Sequence, residues 1–557
     1  MIRHSHSARN CLTLKPFRQL LPIVAFALLI TDVLGEATTP VWAQVPPTQN
    51  YNYPDPPGNT NLLWIEVEGA NGKNGNNQSG DCLNEPGSSS AGDNAPNLNF
   101  SISGANSNSY AGGMSSGGVG GNGGDGVCDD GRGGSSGGNA GTVSVNLSDN
   151  AQIVNSINAL FDLDGDPYIF GLIGSALAGN GGNGGKSNDG TPGNGGSGGM
   201  TESSADTGYG AGTVEITIDA TSTISTSSAL FSVGVIGQSA GGQGGNAGGG
   251  GTAPWAKNAS GGNGGFSGPV SILNQGSIEL TLTGGLDAQG AALLAQSVGG
   301  QGGNAGSGGF SFVTFGNTGG SGGPSDEVSI QHRGLITATG TNAIGINAQS
   351  VGGGGGSVPN STSLISVGGS SGGAGGNANN SSVDIDGGRV HTYGDYGIGV
   401  LVQSIGGGGG SVGGQTGLNT VGSTGGFGGD GEEAQVSLQN GAVITTGLRL
   451  DGQSDTQDGQ GVHSPAVIAQ SIGGGGGNAG TNTGEITIAS SGGDGGDGGT
   501  VQAELGAATL ATQRLFSPGL LLQSIGGGGG NGGSTKSASE SSTISVAVAS
   551  GGDGAPG

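Results

Sequence analysis

The sequence predicts an all-β chain folded as a β-solenoid, a right-handed parallel β-helix built from repeats of 53–67 residues with Gly-rich loops. Three observations carry that prediction. A Gln-Ser motif recurs at near-constant spacing. The intervals between its copies read as strand, turn and strand. One apolar position stays in register with the motif throughout.

The motif is a short apolar run, Gln-Ser, a small aliphatic residue and a glycine tract. Its copies are GQSAGGQGG from Gly237, AQSVGGQGG from Ala295, AQSVGGGGG from Ala348, VQSIGGGGG from Val402, AQSIGGGGG from Ala469 and LQSIGGGGG from Leu522. The glutamines Gln238, Gln296, Gln349, Gln403, Gln470 and Gln523 are therefore 58, 53, 54, 67 and 53 residues apart. A worn seventh copy, IGSALAGNGG from Ile173, puts Ser175 63 residues before Gln238. Stacked coils would align the six glutamines into an amide ladder, as Asn and Gln align in stacked sheets. That reading makes them structural.

Each interval runs from a Gly-rich approach through an alternating strand and a turn to a second strand ending in Gln-Ser. Val328 and Ile330 precede a turn at Arg333-Gly334, Leu335 and Ile336 follow it, and Ile344, Ile346 and Ala348 lead into Gln349. Likewise Val436 and Leu438 precede Asn440-Gly441, and Val443 and Ile444 follow. Period-two alternation broken by Asn-Gly or Gly marks half-buried strands around a turn. Three residues before each glutamine stands Val235, Leu293, Ile346, Val400, Val467 or Leu520, a constant apolar slot. With a rise of about 4.8 Å per coil and two coils per repeat, seven repeats would reach on the order of 70 Å.

Glycine supplies 136 of 557 residues, far above the usual ~7 %. No strict every-third-residue glycine runs through the chain, which excludes collagen. Charged residues make up 9 % and aromatics 4 %. Leu, Ile and Val nonetheless recur at fixed places, unlike the high charge and aperiodicity of disordered chains. Ordered glycine loses more backbone freedom than any other residue. The expectation for tracts such as Gly406 to Gly410 is a tight bend at the first glycines and mobile loops beyond. The formal net charge of −26 excludes a nucleic-acid surface, which needs clustered Lys and Arg.

Three regions follow: 1–43 as a secretory signal peptide, 44–131 as an Asn/Pro/Gly-rich region, and 132–557 as the solenoid. Arg3, Arg9, Lys15 and Arg18 precede the mostly apolar run Leu20 to Ile30, and Val41-Trp42-Ala43 offers a cleavage site before Gln44. Cleavage after Gly35 is the alternative. The apolar run is too short to span a bilayer, which takes about 20 residues. Cys11 leaves with the signal, so Cys82 and Cys128 remain. Paired in an oxidising compartment, they would close a loop of about 45 residues worth ~3–4 kcal/mol and staple a cap over the first coil. Two free thiols are the alternative.

No catalytic or cofactor site emerges. Gly120 to Cys128 fits the calcium nonapeptide pattern and makes Asp125 a weak calcium candidate, but no tandem copy supplies the remaining ligands. Asp162, Asp164 and Asp166 lack the spacing of an EF-hand and read as an acidic turn. Gly113-Met114-Ser115-Ser116-Gly117 matches G-x-S-x-G without the strand-then-helix setting of a nucleophile elbow. His332, His391 and His463 fall in different repeats with no metal-ligand spacing.

The repeated A-Q-S-[IV]-G-G-G-G-G with its strand–turn–strand intervals, behind a signal peptide, resembles the Gly-rich passenger region of bacterial type V autotransporters. The resemblance covers residue 132 onward. It implies a non-enzymatic passenger on the surface of a Gram-negative cell, serving adhesion or surface structure toward an unknown surface ligand, host or neighbour cell. It also implies carriage across the outer membrane by a translocator barrel, whose amphipathic strands and aromatic girdles are missing from this sequence. The chain stops within a Gly-rich approach at Ser550 to Gly557, so the expectation is an incomplete passenger ending mid-repeat. A secreted polysaccharide-active β-helix enzyme and a disordered Gly-rich matrix protein are the rival classes.

Overall fold

In the computed structural model, residues 50–53 and 62–557 are described, apart from internal stretches of which 198–211 and 448–462 are the longest. Residues 1–43, where a signal peptide is expected, together with Cys82 and Cys128, lie outside the described residues. The fold is an all-β parallel solenoid. Among the described residues, the one helical element is a single 3-10 turn at Gly285–Asp287.

Each repeat winds through the same stations. A strand such as Val328–His332 joins a nine-stranded first sheet, and after a turn Leu335–Thr339 joins an eight-stranded second sheet. Ala343–Val351, ending in Gln-Ser-Val, then joins a third sheet whose path holds nine parallel strands. A glycine tract follows, then a short excursion that contributes to a fourth sheet, then a second glycine tract that leads to the next first-sheet strand. The expected strands and turns are formed where period-two alternation places them, and Asn440 and Gly441 turn the chain with φ of 52° and 82°.

Along the main path of the first three sheets, strands pair in parallel with their equivalents one repeat away, as Gln296 does with Gln349 and Gln349 with Gln403. One repeat is therefore one coil, which corrects the expectation of two. Nine strands about 4.8 Å apart put the stack on the order of 40 Å long, well short of 70 Å. The strands Leu62–Glu68, Leu98–Ser103 and Tyr110–Ser116 pair in the same sheets, so coils already run through part of 44–131.

The core fills the space between the three sheets. Val235, Leu293, Ile346, Val400 and Val467, five of the six slots three before the glutamines, are each 0 % exposed and belong to this cluster, and the sixth, Leu520, packs partly buried against it. Inward residues of the first sheet, among them Val328, Ile330, Val436 and Leu438, pack against them. Each buried aliphatic side chain contributes ~1.5–3 kcal/mol. A parallel coil puts like above like, so one apolar column per inward position satisfies every coil.

The glycine tracts depart most from expectation. They are neither bends nor mobile loops. In Gly352 to Gly356, Gly352 and Gly355 donate to Ile405 and Gly408 of the next coil, while Gly353 and Gly356 donate to Gly323 and Gly320 of the tract lying opposite. Each direction recurs every third residue, the period of a polyproline-II-type helix. The two tracts of successive coils thus build a double layer of extended backbones bonded both along the stack and across it. A Cβ on Gly406, Gly407, Gly409 or Gly410 would sit 1.9–2.1 Å from a neighbouring carbonyl oxygen, so side chains are excluded there. At Gly408 the nearest atom is 3.8 Å away. The entropic cost of ordering glycine is offset by two hydrogen-bonding directions that only bare backbones can approach closely enough to make.

Candidate interaction surface

Four of the motif glutamine pairs form the ladder. The Nε2 of Gln296, Gln349, Gln403 and Gln470 donates to the Oε1 of the next glutamine at 2.7, 2.7, 2.8 and 2.6 Å, ending on Gln523. Gln238, directly beneath Gln296, takes no part.

The motif serine does work that the sequence reading left unassigned. Ser297 donates to the Gly268 carbonyl and accepts from the Asp326 N–H, both at 2.9 Å. Gly268 and Asp326 open the first-sheet strands of successive coils, so the hydroxyl clips two coils together from inside. Ser239 and Ser404 make the same pair of bonds. Ser115 does so too, donating to Pro96 and accepting from Gly141, and is 0 % exposed. The G-x-S-x-G string is thus a strand segment carrying a coil clip. The signal was present in the sequence: serine follows glutamine in all six copies.

Asp125 lies on the outer face of a glycine tract, where Asn and Asp continue the backbone ladder with their side chains. Its Oδ1 accepts the Lys186 N–H at 2.7 Å, as Asn183 accepts from Asn246 and Asn304 from Ser357. Among the described residues, no group of three His, Cys, Asp or Glu stands close enough to hold a metal ion. Asp162 and Asp166 lie within a short antiparallel pairing, opposite Pro167 and Leu163, and Asp164 lies outside the described residues.

The three histidines stay apart. His332 is 0 % exposed between the Asn274 amide, 3.1 Å from Nδ1, and the Arg389 carbonyl, 3.1 Å from Nε2. The carbonyl can only accept, so Nε2 carries the proton and Nδ1 accepts from the amide. Burial pushes its pKa down to about 4, opposed by the backbone of Arg389 and of Asn274. Burial lowers His391 as well, and its Nδ1 bonds Thr445 Oγ1. His463 is stacked between the rings of Tyr396 and Phe516, with centroids 5.4 and 4.9 Å apart. All three of these residues have left-handed φ, 55–58°, at the same corner of successive coils.

The outward-facing feature is the fourth sheet. Phe312, Leu364, Leu418 and Ile486 follow one another on four successive excursions and are 58, 38, 41 and 48 % exposed. Register stacks Phe312, Leu364 and Leu418, and the Leu418 N–H donates to the Leu364 carbonyl; Ile486 pairs with Asn419, one position along, while its N–H donates to the Leu418 carbonyl. Beneath, the same excursions bury polar groups: Thr314 donates to Ser363, and Ser366 donates to Gln415, which donates to Ser423. The excursion is apolar outside and polar inside, the reverse of the core. A contiguous exposed apolar column on a rigid sheet is the feature that marks interaction surfaces. No family model, curated protein or solved structure matches the chain.

Proposed function

We propose that the protein is a non-enzymatic passenger displayed outside a Gram-negative cell, where the solenoid presents a contact surface for adhesion or surface structure. The observation that carries this is the exposed apolar strip of Phe312, Leu364 and Leu418 on three successive coils, with Ile486 one position along on the fourth. The resemblance of the Gln-Ser-Ile-Gly tracts to autotransporter passengers supports the same reading. So does the net charge of −26, which suits solubility and self-repulsion of an exported chain. The motif serines and glutamines have coil-stacking roles, which fits a scaffold built to present a surface.

The test compares binding of the purified chain to bacterial and host cells with that of the Phe312→Ser, Leu364→Ser, Leu418→Ser triple variant. Binding should fall at least several-fold while the β circular-dichroism signal and melting midpoint hold. Equal binding by both proteins would place adhesion elsewhere. Turnover of a polysaccharide by the wild-type chain would sink the non-enzymatic reading.

A further inference from the structure

The amide ladder has a defect at its lower end. Gln238 is paired with Gln296 in the third sheet and Ser175 with Gln238, so the column runs Ser175, Gln238, Gln296. Yet Gln238 Nε2 and Oε1, Gln296 Oε1 and Ser175 Oγ have no protein partner, and all three residues are 0 % exposed. Four unmet polar atoms in one column is far from the norm, since buried polar side chains nearly always find a partner.

The sequence explains why the column is short of an amide. Ser175 is the worn motif position, where a serine stands in a column that is otherwise glutamine above it. Below it comes Met114, paired with Ser175 and 7 % exposed, whose thioether is at best a weak acceptor. The serine omits the amide group that would have met Gln238 from below. Bulk solvent does not reach the residues that line the space.

We propose that this step of the column is a built site for ordered water, lined by Ser175, Gln238 and Gln296. The lining chemistry selects the ligand class. Two amide oxygens accept, one amide nitrogen donates, and the serine hydroxyl does either. No lining group is charged. A small neutral molecule that both donates and accepts satisfies all four atoms, whereas a cation meets the amide nitrogen and an anion meets the two oxygens. Buried waters commonly make about three bonds to such groups. One water donating to Gln296 Oε1 and accepting from Gln238 Nε2 would carry the ladder's polarity down one more coil, and a second would serve Ser175.

A crystal structure of the full chain, at a resolution that orders buried solvent, tests this directly. The expected result is solvent density within hydrogen-bond distance of both Gln238 and Gln296. Gln238 Nε2 donating straight to Gln296 Oε1, with no density in the column, would overturn the site. The Ser175→Gln variant adds a second arm. Its amide should displace the density beside position 175 and extend the ladder through Gln238. Density unchanged beside a well-ordered new glutamine would also overturn the proposal. In solution, the side-chain amide protons of Gln238 should show magnetisation transfer from a long-lived water, and those of Gln349, bonded on both sides, should not. Transfer absent from Gln238 counts against the site.

Discussion

Removing one glutamine from the ladder strands its two neighbours. Gln403→Met keeps the length of the side chain but leaves the Gln349 Nε2 without its acceptor and the Gln470 Oε1 without its donor. Unmet buried groups cost ~1–3 kcal/mol each, so the denaturant midpoint should fall by the equivalent of about 2–5 kcal/mol. A loss within error would mean the ladder only fills space. Ser297→Ala should cost about 1–3 kcal/mol by the same argument, because the Gly268 carbonyl and the Asp326 N–H lose their clip. His332 adds a pH dependence. Its folded pKa of about 4 lies below the ordinary 6.5, so the unfolded chain takes the proton first. The stability tied to the neutral ring is complete above pH 6.5 and drains as pH falls toward 4, on the order of 3 kcal/mol in all. His332→Asn, matching Asn274 one coil below, should flatten that part of the acid limb in denaturant titrations between pH 7 and 4. An unchanged limb would assign the acid loss to other groups.

At the scale of the element, strands and glycine tracts were legible to different degrees for a physical reason. Strands announce themselves because one face is apolar and the period is two, so Val328, Ile330, Val436 and Leu438 could be placed before any coordinates. The glycine tracts have no apolar mark. Their three-residue period is written in Gly120 to Gly126 and Gly492 to Gly499, but it identifies a structure only when the opposing tract is known to lie alongside. The motif serine is visible in the sequence but its partners are not, because they are backbone groups 29 residues away on either side, Gly268 and Asp326 for Ser297. The exposed fourth-sheet column escaped notice too, since Phe312, Leu364 and Leu418 share no motif and are aligned only by stacking. The two kinds of tract glycine make a paired test. Gly409→Ala would put a Cβ 2.1 Å from the Gly426 oxygen and should open the double layer, seen as faster amide exchange at Gly425 to Gly429 and a lowered midpoint. Gly408→Ala meets nothing closer than 3.8 Å and needs no left-handed φ. It should leave the midpoint unchanged or raise it by ~0.4–1 kcal/mol through the unfolded state. If both substitutions behaved alike, the tract would not be packed as described.

For the whole molecule, the decisive quantity is the amount of chain in one coil. Stability of a stacked array is close to a sum of unit and neighbour terms, so a cut matched to the unit should remove one layer and rejoin the rest. Deleting residues 350–403, 54 residues, would join Gln349 directly to Ser404. Because Gln349 pairs with Gln403 and Ser350 with Ser404, every column below the junction then meets its equivalent above it. The expected product is folded, with the β signal per residue unchanged and the long axis shorter by about 4.8 Å in small-angle scattering. Deleting residues 350–376, 27 residues, would instead join a third-sheet strand to the end of the second glycine tract, set Gln349 beside Asn377 and leave half a coil with nothing above it. That product should lose cooperative melting. The opposite result, a stable half-length deletion and an unfolded full-length one, would restore two coils per repeat. It would undo the parallel register on which the ladder, the clips and the exposed column all depend.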